Sequence, residues 1–396
     1  MSRRPALTPA EKKHPIGAGV QRLRNPLRQD TAVLLGAGAS KAFDIPLTSE
    51  LLPIIVDWLH DADFLAALKG DRPEVGRENR DLLQQYLMQL LPGKSLARNN
   101  LPLVTSLLSL LDYSLATGQS LMPGRSASET RQARSLLERG ILEAIADETS
   151  FSSKARGKFQ RFCALLSDLK RAAPSKSLTL LTTNYDMAAD IAAFECAGVR
   201  RQGDWLLKDV ATKIDFGFRW QDPDSPETRL FERPARPVIT LLKLHGSTNW
   251  LRCPLCDNTY LNPWGPIWQQ AYKSTADSFN TCHCSATRLQ TQIISPSYIR
   301  EMREPNLHGV WKTALDALRT AERWLIIGYS FPDEDLAVRA LFTRAYASRD
   351  HRPQVVVVQN TDASINRYEA FFDREDLTFC AGGLDALLTA WRGAKN

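Results

Sequence analysis

A chain of 396 residues, 43% hydrophobic and 24% charged, can bury a large core and falls outside the compositions of disordered, collagen-like and disulfide-stapled proteins. Lys and Arg outnumber Asp and Glu by 50 to 44, a net +6 that is spread along the chain rather than gathered into a nucleic-acid-binding stripe. No apolar run reaches the roughly 18 residues that a membrane span requires, and the first residues lack the apolar core of a signal peptide, so a cytoplasmic location with no membrane contact is expected.

Residues 1–30 read as a polar N-terminal tail, basic at Ser2-Arg-Arg4 and Lys12-Lys-His14. The first strand is Thr31-Ala-Val-Leu-Leu35, running into Gly36-Ala37-Gly38-Ala-Ser40. Glycines at a strand-to-helix turn allow a tight bend and let backbone N–H groups approach a diphosphate. Lys41 stands where the full dinucleotide fingerprint has its third glycine or alanine. Thr48 or Ser49 caps a helix through Trp58.

From 61 to 175 the spacing of leucines predicts a helical insertion, with helices around 81–91, 101–115 and 135–145 and turns at Leu91-Pro-Gly93 and Met122-Pro-Gly124. Its simplest role is a cap packed on the sheet. Strand character returns at Ser177-Leu-Thr-Leu-Leu-Thr-Thr183, ending in Asn184-Tyr-Asp186, before a helix from Met187 to Cys196. Arg200 to Arg236 is polar and reads as loops with a short hairpin.

The apolar run Pro237-Val-Ile-Thr-Leu-Leu-Lys-Leu244 delivers His245-Gly246 at its end, a base beside a backbone that a ligand can approach. Cys253, Cys256, Cys282 and Cys284 follow within residues 247–292. Four thiols at that spacing suit a closed tetrahedral structural zinc, and His283 is an alternative ligand that spacing does not decide. Trp250, Trp264 and Trp268 fit the packing of such a module against the core. Gln292-Ile-Ile-Ser295 is a candidate short strand and Pro305–Arg319 a helix. Arg323-Trp-Leu-Ile-Ile-Gly328-Tyr-Ser330 is a buried strand followed by Phe331-Pro-Asp-Glu-Asp335 and a helix from Leu336 to Ala347. Gln354-Val-Val-Val-Val-Gln-Asn360 is another strand, and Leu384–Trp391 closes the chain with a helix.

Apolar strands without alternation, separated by helices, indicate an α/β fold built on a Rossmann-like parallel sheet with helices on both faces, here spanning 31–396 and carrying the helical insertion and the zinc module. Five of these strands end in small or polar groups. In a parallel sheet those ends share one edge, where they can surround one extended ligand.

Taken together and in this order, Gly36-Ala-Gly-Ala-Ser40, Thr183-Asn-Tyr-Asp186, His245-Gly246, the cysteine module, Gly328-Tyr-Ser330 and Asn360 resemble the sirtuin superfamily. The resemblance covers the sheet and the cysteine module and leaves out the tail and the helical insertion. It implies NAD as ligand, with Gly36, Ala37, Gly38 and Ser40 at the diphosphate, Ser330 and Asn360 toward the adenosine half, and Asn184 and His245 beside the nicotinamide ribose. Thr183 and Gly328 complete the expected cofactor-binding set.

Two departures qualify the implied chemistry. Protein-deacylating sirtuins follow their Ile-Pro with Asp-Phe-Arg, whereas Ile45-Pro46 is followed here by Leu47-Thr-Ser49. Where their acyl-lysine groove has a Phe-Gly-Glu-like segment, this chain has Ile293-Ile-Ser-Pro-Ser-Tyr-Ile299. With Gly-Tyr-Ser-Phe-Pro and the helical insertion, these make the chain look like bacterial sirtuin-like NAD hydrolases of antiviral defence. The expected catalytic set is Asn184, His245 and Asp186, with NAD as substrate and zinc as scaffold. Homo-oligomerisation and an operon partner such as a helicase, ATPase or nuclease fit that resemblance. An NAD-dependent deacylase or ADP-ribosyltransferase, and a non-catalytic NAD or ADP-ribose sensor, are the competing readings.

Overall fold

The computed structural model describes residues 13–25, 29–60, 73–91, 101–146, 153–202, 204–223, 230–273, 276, 279–284, 287–294, 297 and 305–394. Residues 1–12 of the expected tail, the Pro92-Gly93 turn, Ser295 at the end of one expected strand, and Pro296 with Tyr298 and Ile299 of the groove-equivalent segment lie outside them.

Seven strands form one sheet in the order Leu377–Ala381, Gln354–Gln359, Arg323–Ile327, Thr31–Leu35, Leu178–Thr182, Ile239–Lys243, Ile214–Asp215. All six neighbouring pairs are parallel. Helices flank both faces, as the run of unalternating Val, Ile and Leu requires. The helices Ile16–Arg24, Ser153–Ala172, Ala188–Ala197 and Gly383–Gly393 pack in one group, while Pro305–Thr320 and Leu336–Ala347 pack together. From the central Thr31–Leu35 strand the chain moves first to Leu178–Thr182 on one side and later returns to Arg323–Ile327 on the other. That reversal is a topological switch point, the place where open α/β sheets leave a crevice at their carboxyl ends.

Several expectations need correction. Residues 16–24 of the expected tail form a helix that buries Gly19, Val20 and Leu23 against the far edge of the sheet. Sequence reasoning missed both edge strands. The stretch from Arg200 to Arg236 contains, besides short strands, the helix Leu207–Lys213 and one of those edge strands. The Ser153–Ala172 end of the expected insertion packs on the sheet, whereas Thr48–His60, Pro73–Leu90, Val104–Thr117 and Ala127–Ala146 pack on one another.

A second sheet of five short strands runs Gln290–Ile293, Gly246–Arg252, Thr259–Leu261, Trp220–Gln221, Leu230–Phe231. It carries the cysteines and has its own small core of Leu251, Cys253, Tyr260, Ile267, Cys282 and Leu289. The parallel sheet and this smaller one meet at Leu244-His245.

Candidate active site

The two central strands end in glycines that fit only because they lack a side chain. Gly328 has φ of 65°, and a Cβ there would lie 2.1 Å from the Ala39 nitrogen. A Cβ on Gly36 would lie 2.6 Å from the Gly328 oxygen. The contact is tied by Gly38 N–H donating to the Gly328 carbonyl at 2.9 Å and Gly36 N–H donating to the Ile327 carbonyl at 2.9 Å. Gly36 therefore brings two strand ends together and is not among the residues that line the cavity described below. Ala37, Gly38 and Gly328 do face it.

Beside this turn the end of the Leu178–Thr182 strand is fixed by a relay of hydrogen bonds. Thr182 Oγ1 donates to the Leu35 carbonyl at 3.0 Å and accepts from the Asn184 N–H at 3.0 Å. Asn184 Nδ2 donates to Ser40 Oγ at 2.8 Å, and Ser40 Oγ donates to Asp186 Oδ2 at 2.8 Å. Asp186 Oδ1 accepts the Ala188 N–H at 2.9 Å, an Asx turn just ahead of the Ala188–Ala197 helix, so one carboxylate both shapes that turn and anchors the relay. Burial pushes the Asp186 carboxyl above its ordinary range, while the Lys243 ammonium, the Ala188 N–H and Ser40 act in the opposite direction.

Lys243, fully buried, donates to Asp190 Oδ2 at 2.7 Å and to the Asp186 carbonyl at 2.5 Å. An ammonium is stable there because a carboxylate and a carbonyl replace its water. The pair thereby ties the strand that carries His245 to the loop that carries Asn184.

His245 sits where the chain leaves the parallel sheet. Its carbonyl accepts the Ile294 N–H at 2.8 Å, and Gly246, with φ of 83°, packs so tightly on the Gln292 carbonyl that a Cβ would come within 1.9 Å of that oxygen. The imidazole lies with its ring centre 6.4 Å from both Tyr185 and Trp311, and its Nε2 is 3.4 Å from Asp335 Oδ1.

Around these groups lies a cavity of about 430 Å³, within the size range of cofactor and small-molecule sites. Of the expected residues, Ala37, Gly38, Ser40, Thr183, Asn184, Asp186, His245, Gly328, Ser330 and Asn360 all line it. Leu103, Thr105 and Ile145 add a wall from the helical insertion, which thus borders the site. Sequence reasoning missed Asp335, Tyr329 and the Lys243–Asp190 pair. Asp335 follows a strand that ends in Gly-Tyr-Ser, the same signal that marked the other four junctions, but its partner is far away in sequence.

The four expected cysteines converge, with their sulfur atoms all within 4.8 Å of one another. Cys253 and Cys284 are 3.7 Å apart and Cys256 and Cys282 3.5 Å. Tetrahedral zinc with bonds near 2.3 Å places its sulfurs about 3.8 Å apart, so the set fits that ion. His283 lies outside the group; its ring is tilted against Tyr260 with centres 6.0 Å apart, and its backbone N–H donates to the Tyr260 hydroxyl. Trp250 and Trp268 are buried, and Trp250 packs edge-on to Phe218 at 4.7 Å, the packing role expected of them. Among the described residues no helix is long and apolar enough to cross a membrane.

No family model matches the chain, and no curated protein matches it. Solved structures are similar to it. One, of a Sir2 enzyme studied for mechanism and regulation, is 14% identical with a TM-score of 0.43 over 96% of this chain and 97% of that one. A Sir2 homolog–NAD complex is 14% identical with a TM-score of 0.41 over 93% and 91%. A Sir2–p53 peptide–NAD+ complex is 11% identical with a TM-score of 0.40 over 95% and 96%.

Proposed function

We propose that this chain is an NAD+ hydrolase that cleaves the bond between nicotinamide and ribose. The observation that carries the reading is the gathering of Asn184, Ser40, Asp186 and His245 around one cavity, beside glycine turns at the switch point of a parallel sheet. The residues that meet there are those whose order resembles the sirtuin superfamily.

NAD+ carries its nicotinamide as a cationic leaving group, so the bond breaks with the electron pair going to a neutral nicotinamide and no acid is needed. The chain has to hold the ribose, tolerate an oxocarbenium-like centre and deliver water. Asn184, held by Ser40 and the Thr182 hydroxyl, positions ribose hydroxyls or the water. His245 takes the proton that water loses as its oxygen bonds to the ribose carbon, giving ADP-ribose. Asp186 anchors the Asn184 loop and adds negative charge near the developing cation. Ala37, Gly38 and Gly328 offer backbone close to the diphosphate, with Ser330 and Asn360 toward the adenosine half.

Cys253, Cys256, Cys282 and Cys284 would hold a structural zinc, which supplies rigidity to the segment after His245 and no reacting group. In a cell the activity depletes NAD, as in the bacterial antiviral systems that the sequence resembles, in the cytoplasm and under the control of self-association or a partner protein.

The test incubates purified protein with NAD+, with and without an acyl-lysine peptide, and follows products by mass spectrometry. Nicotinamide and ADP-ribose in equal amounts without peptide are expected. Release that requires the peptide would replace this reading with deacylation, and tight NAD binding with no turnover in any state would leave a sensor.

A further inference from the structure

The buried Asp335 carboxylate bridges two partners in the cavity wall. Tyr329 Oη donates to its Oδ2 at 2.8 Å, and its Oδ1 lies 3.4 Å from His245 Nε2. Asp335 occupies the N-cap position of the Leu336–Ala347 helix, where an aspartate ordinarily spends its carboxylate on a backbone N–H, yet it makes no such side-chain bond. The carboxylate is turned toward the imidazole instead.

The segment that delivers it is tightly packed. Phe331 takes φ of 53°, a left-handed conformation costly for a bulky residue. Its fully buried ring stacks on Tyr368 at 5.1 Å and meets Phe371 edge-on at 5.2 Å, and Arg339 donates to its carbonyl at 2.8 Å. Core packing thus holds the strained turn, and the turn sets Asp335 in place.

We infer that Asp335 is a positioning residue for His245, fixing which ring nitrogen acts as the base. An ionised carboxylate only accepts hydrogen bonds. The nitrogen facing it must therefore carry the proton, leaving the Nδ1 lone pair to accept the proton that water gives up. When Nδ1 takes that proton, the resulting imidazolium lies against the Asp335 carboxylate, which stabilises it as it forms; a buried acid beside a catalytic histidine acts in this way in other hydrolases. The 3.4 Å separation is long for a hydrogen bond and is expected to shorten once a ligand fills the cavity. The inference rests on the reading of His245 as the base.

The decisive readout needs no turnover. Nitrogen-15 spectra of labelled full-length protein at alkaline pH report which ring nitrogen of neutral His245 is protonated, with the resonance assigned by its loss in His245→Gln. The wild type is expected to be protonated at Nε2, and Asp335→Asn to lose that preference. A wild-type imidazole protonated at Nδ1, or an unchanged tautomer in the variant, would overturn the inference even if NAD is hydrolysed. In turnover, Asp335→Asn should lower kcat by about a hundredfold with KM for NAD within about threefold. Tyr329→Phe, which removes the other partner of the carboxylate, should lower kcat less than tenfold and keep the wild-type tautomer. A rise in KM with kcat unchanged in Asp335→Asn would make Asp335 a ligand contact instead.

Discussion

His245 is held between two regions stabilised in different ways. On one side the Ile239–Lys243 strand lies inside the parallel sheet, its five residues all buried and its position set by apolar packing and one buried ion pair. On the other, Gly246–Arg252 belongs to a small sheet whose core holds six buried residues, two of them cysteines. A core of that size does not sustain a fold alone, so the module depends on its thiol cluster where the sheet depends on hydrophobic burial. A single residue between the two regions takes its placement from both, and either one can be disabled separately.

Removing metal should have the largest effect, confined to the module. Structural zinc contributes of order 10 kcal/mol of apparent binding energy that doubles as folding energy. The purified chain should carry one zinc, and chelation or Cys282→Ala should open residues 246–293 to limited proteolysis while the parallel sheet keeps its far-ultraviolet circular dichroism. Zinc-free protein with an intact, protected module would refute the contrast.

Next in size is the opposite experiment. Lys243→Met leaves Asp190 charged and buried without its partner, which should cost about 3–5 kcal/mol in denaturant unfolding and loosen the Asn184 loop. A loss below 1 kcal/mol would mean that the pair does not anchor the sheet's edge. Zinc content should be unchanged, because the four thiols, rather than the 3.4 Å hydrogen bond from Asn249 of the module to Asp190, hold the ion.

The smallest effect marks the rim of the site. Glu50 loses some hydration, but Lys41 and the Leu47 N–H outweigh that loss and lower its carboxyl below the ordinary 4.5. A depressed carboxyl contributes stability above its unfolded value, and that stability is lost as pH falls through the folded value, so the effect lies below about pH 4.5. Both side chains are about 40% exposed, and solvent keeps the pair under about 1 kcal/mol. Lys41→Met should therefore lower stability at neutral pH by less than about 1 kcal/mol, a difference from the wild type that fades as pH falls below about 4.5, read from denaturant unfolding at both pH values.

The parts of the molecule that could be read from sequence were those whose signal is local. Five unbroken apolar strands announced the parallel sheet, and the spacing of Cys253, Cys256, Cys282 and Cys284 announced their convergence. The Leu377–Ala381 strand carries a Thr and a Cys among its apolar residues, and Ile214–Asp215 is two residues long, so neither stood out. The Ile16–Arg24 helix holds two glycines, poor helix formers; at Gly19 a side chain would meet Cys380 Sγ at 2.9 Å, so packing overrides propensity there. The strand-end residues of the cavity were readable because a parallel sheet gathers such ends by topology. Asp190 beside Lys243 and Asp335 beside His245 were not, since each pair is created by tertiary folding.

The most direct test of the account compares nicotinamide release from NAD+ by the wild type, Asn184→Ala and His245→Ala, with folding checked by circular dichroism. Cleavage by the wild type without peptide, and a fall of at least about a hundredfold in both folded variants, is the predicted result. Release by both variants at the wild-type rate would contradict it.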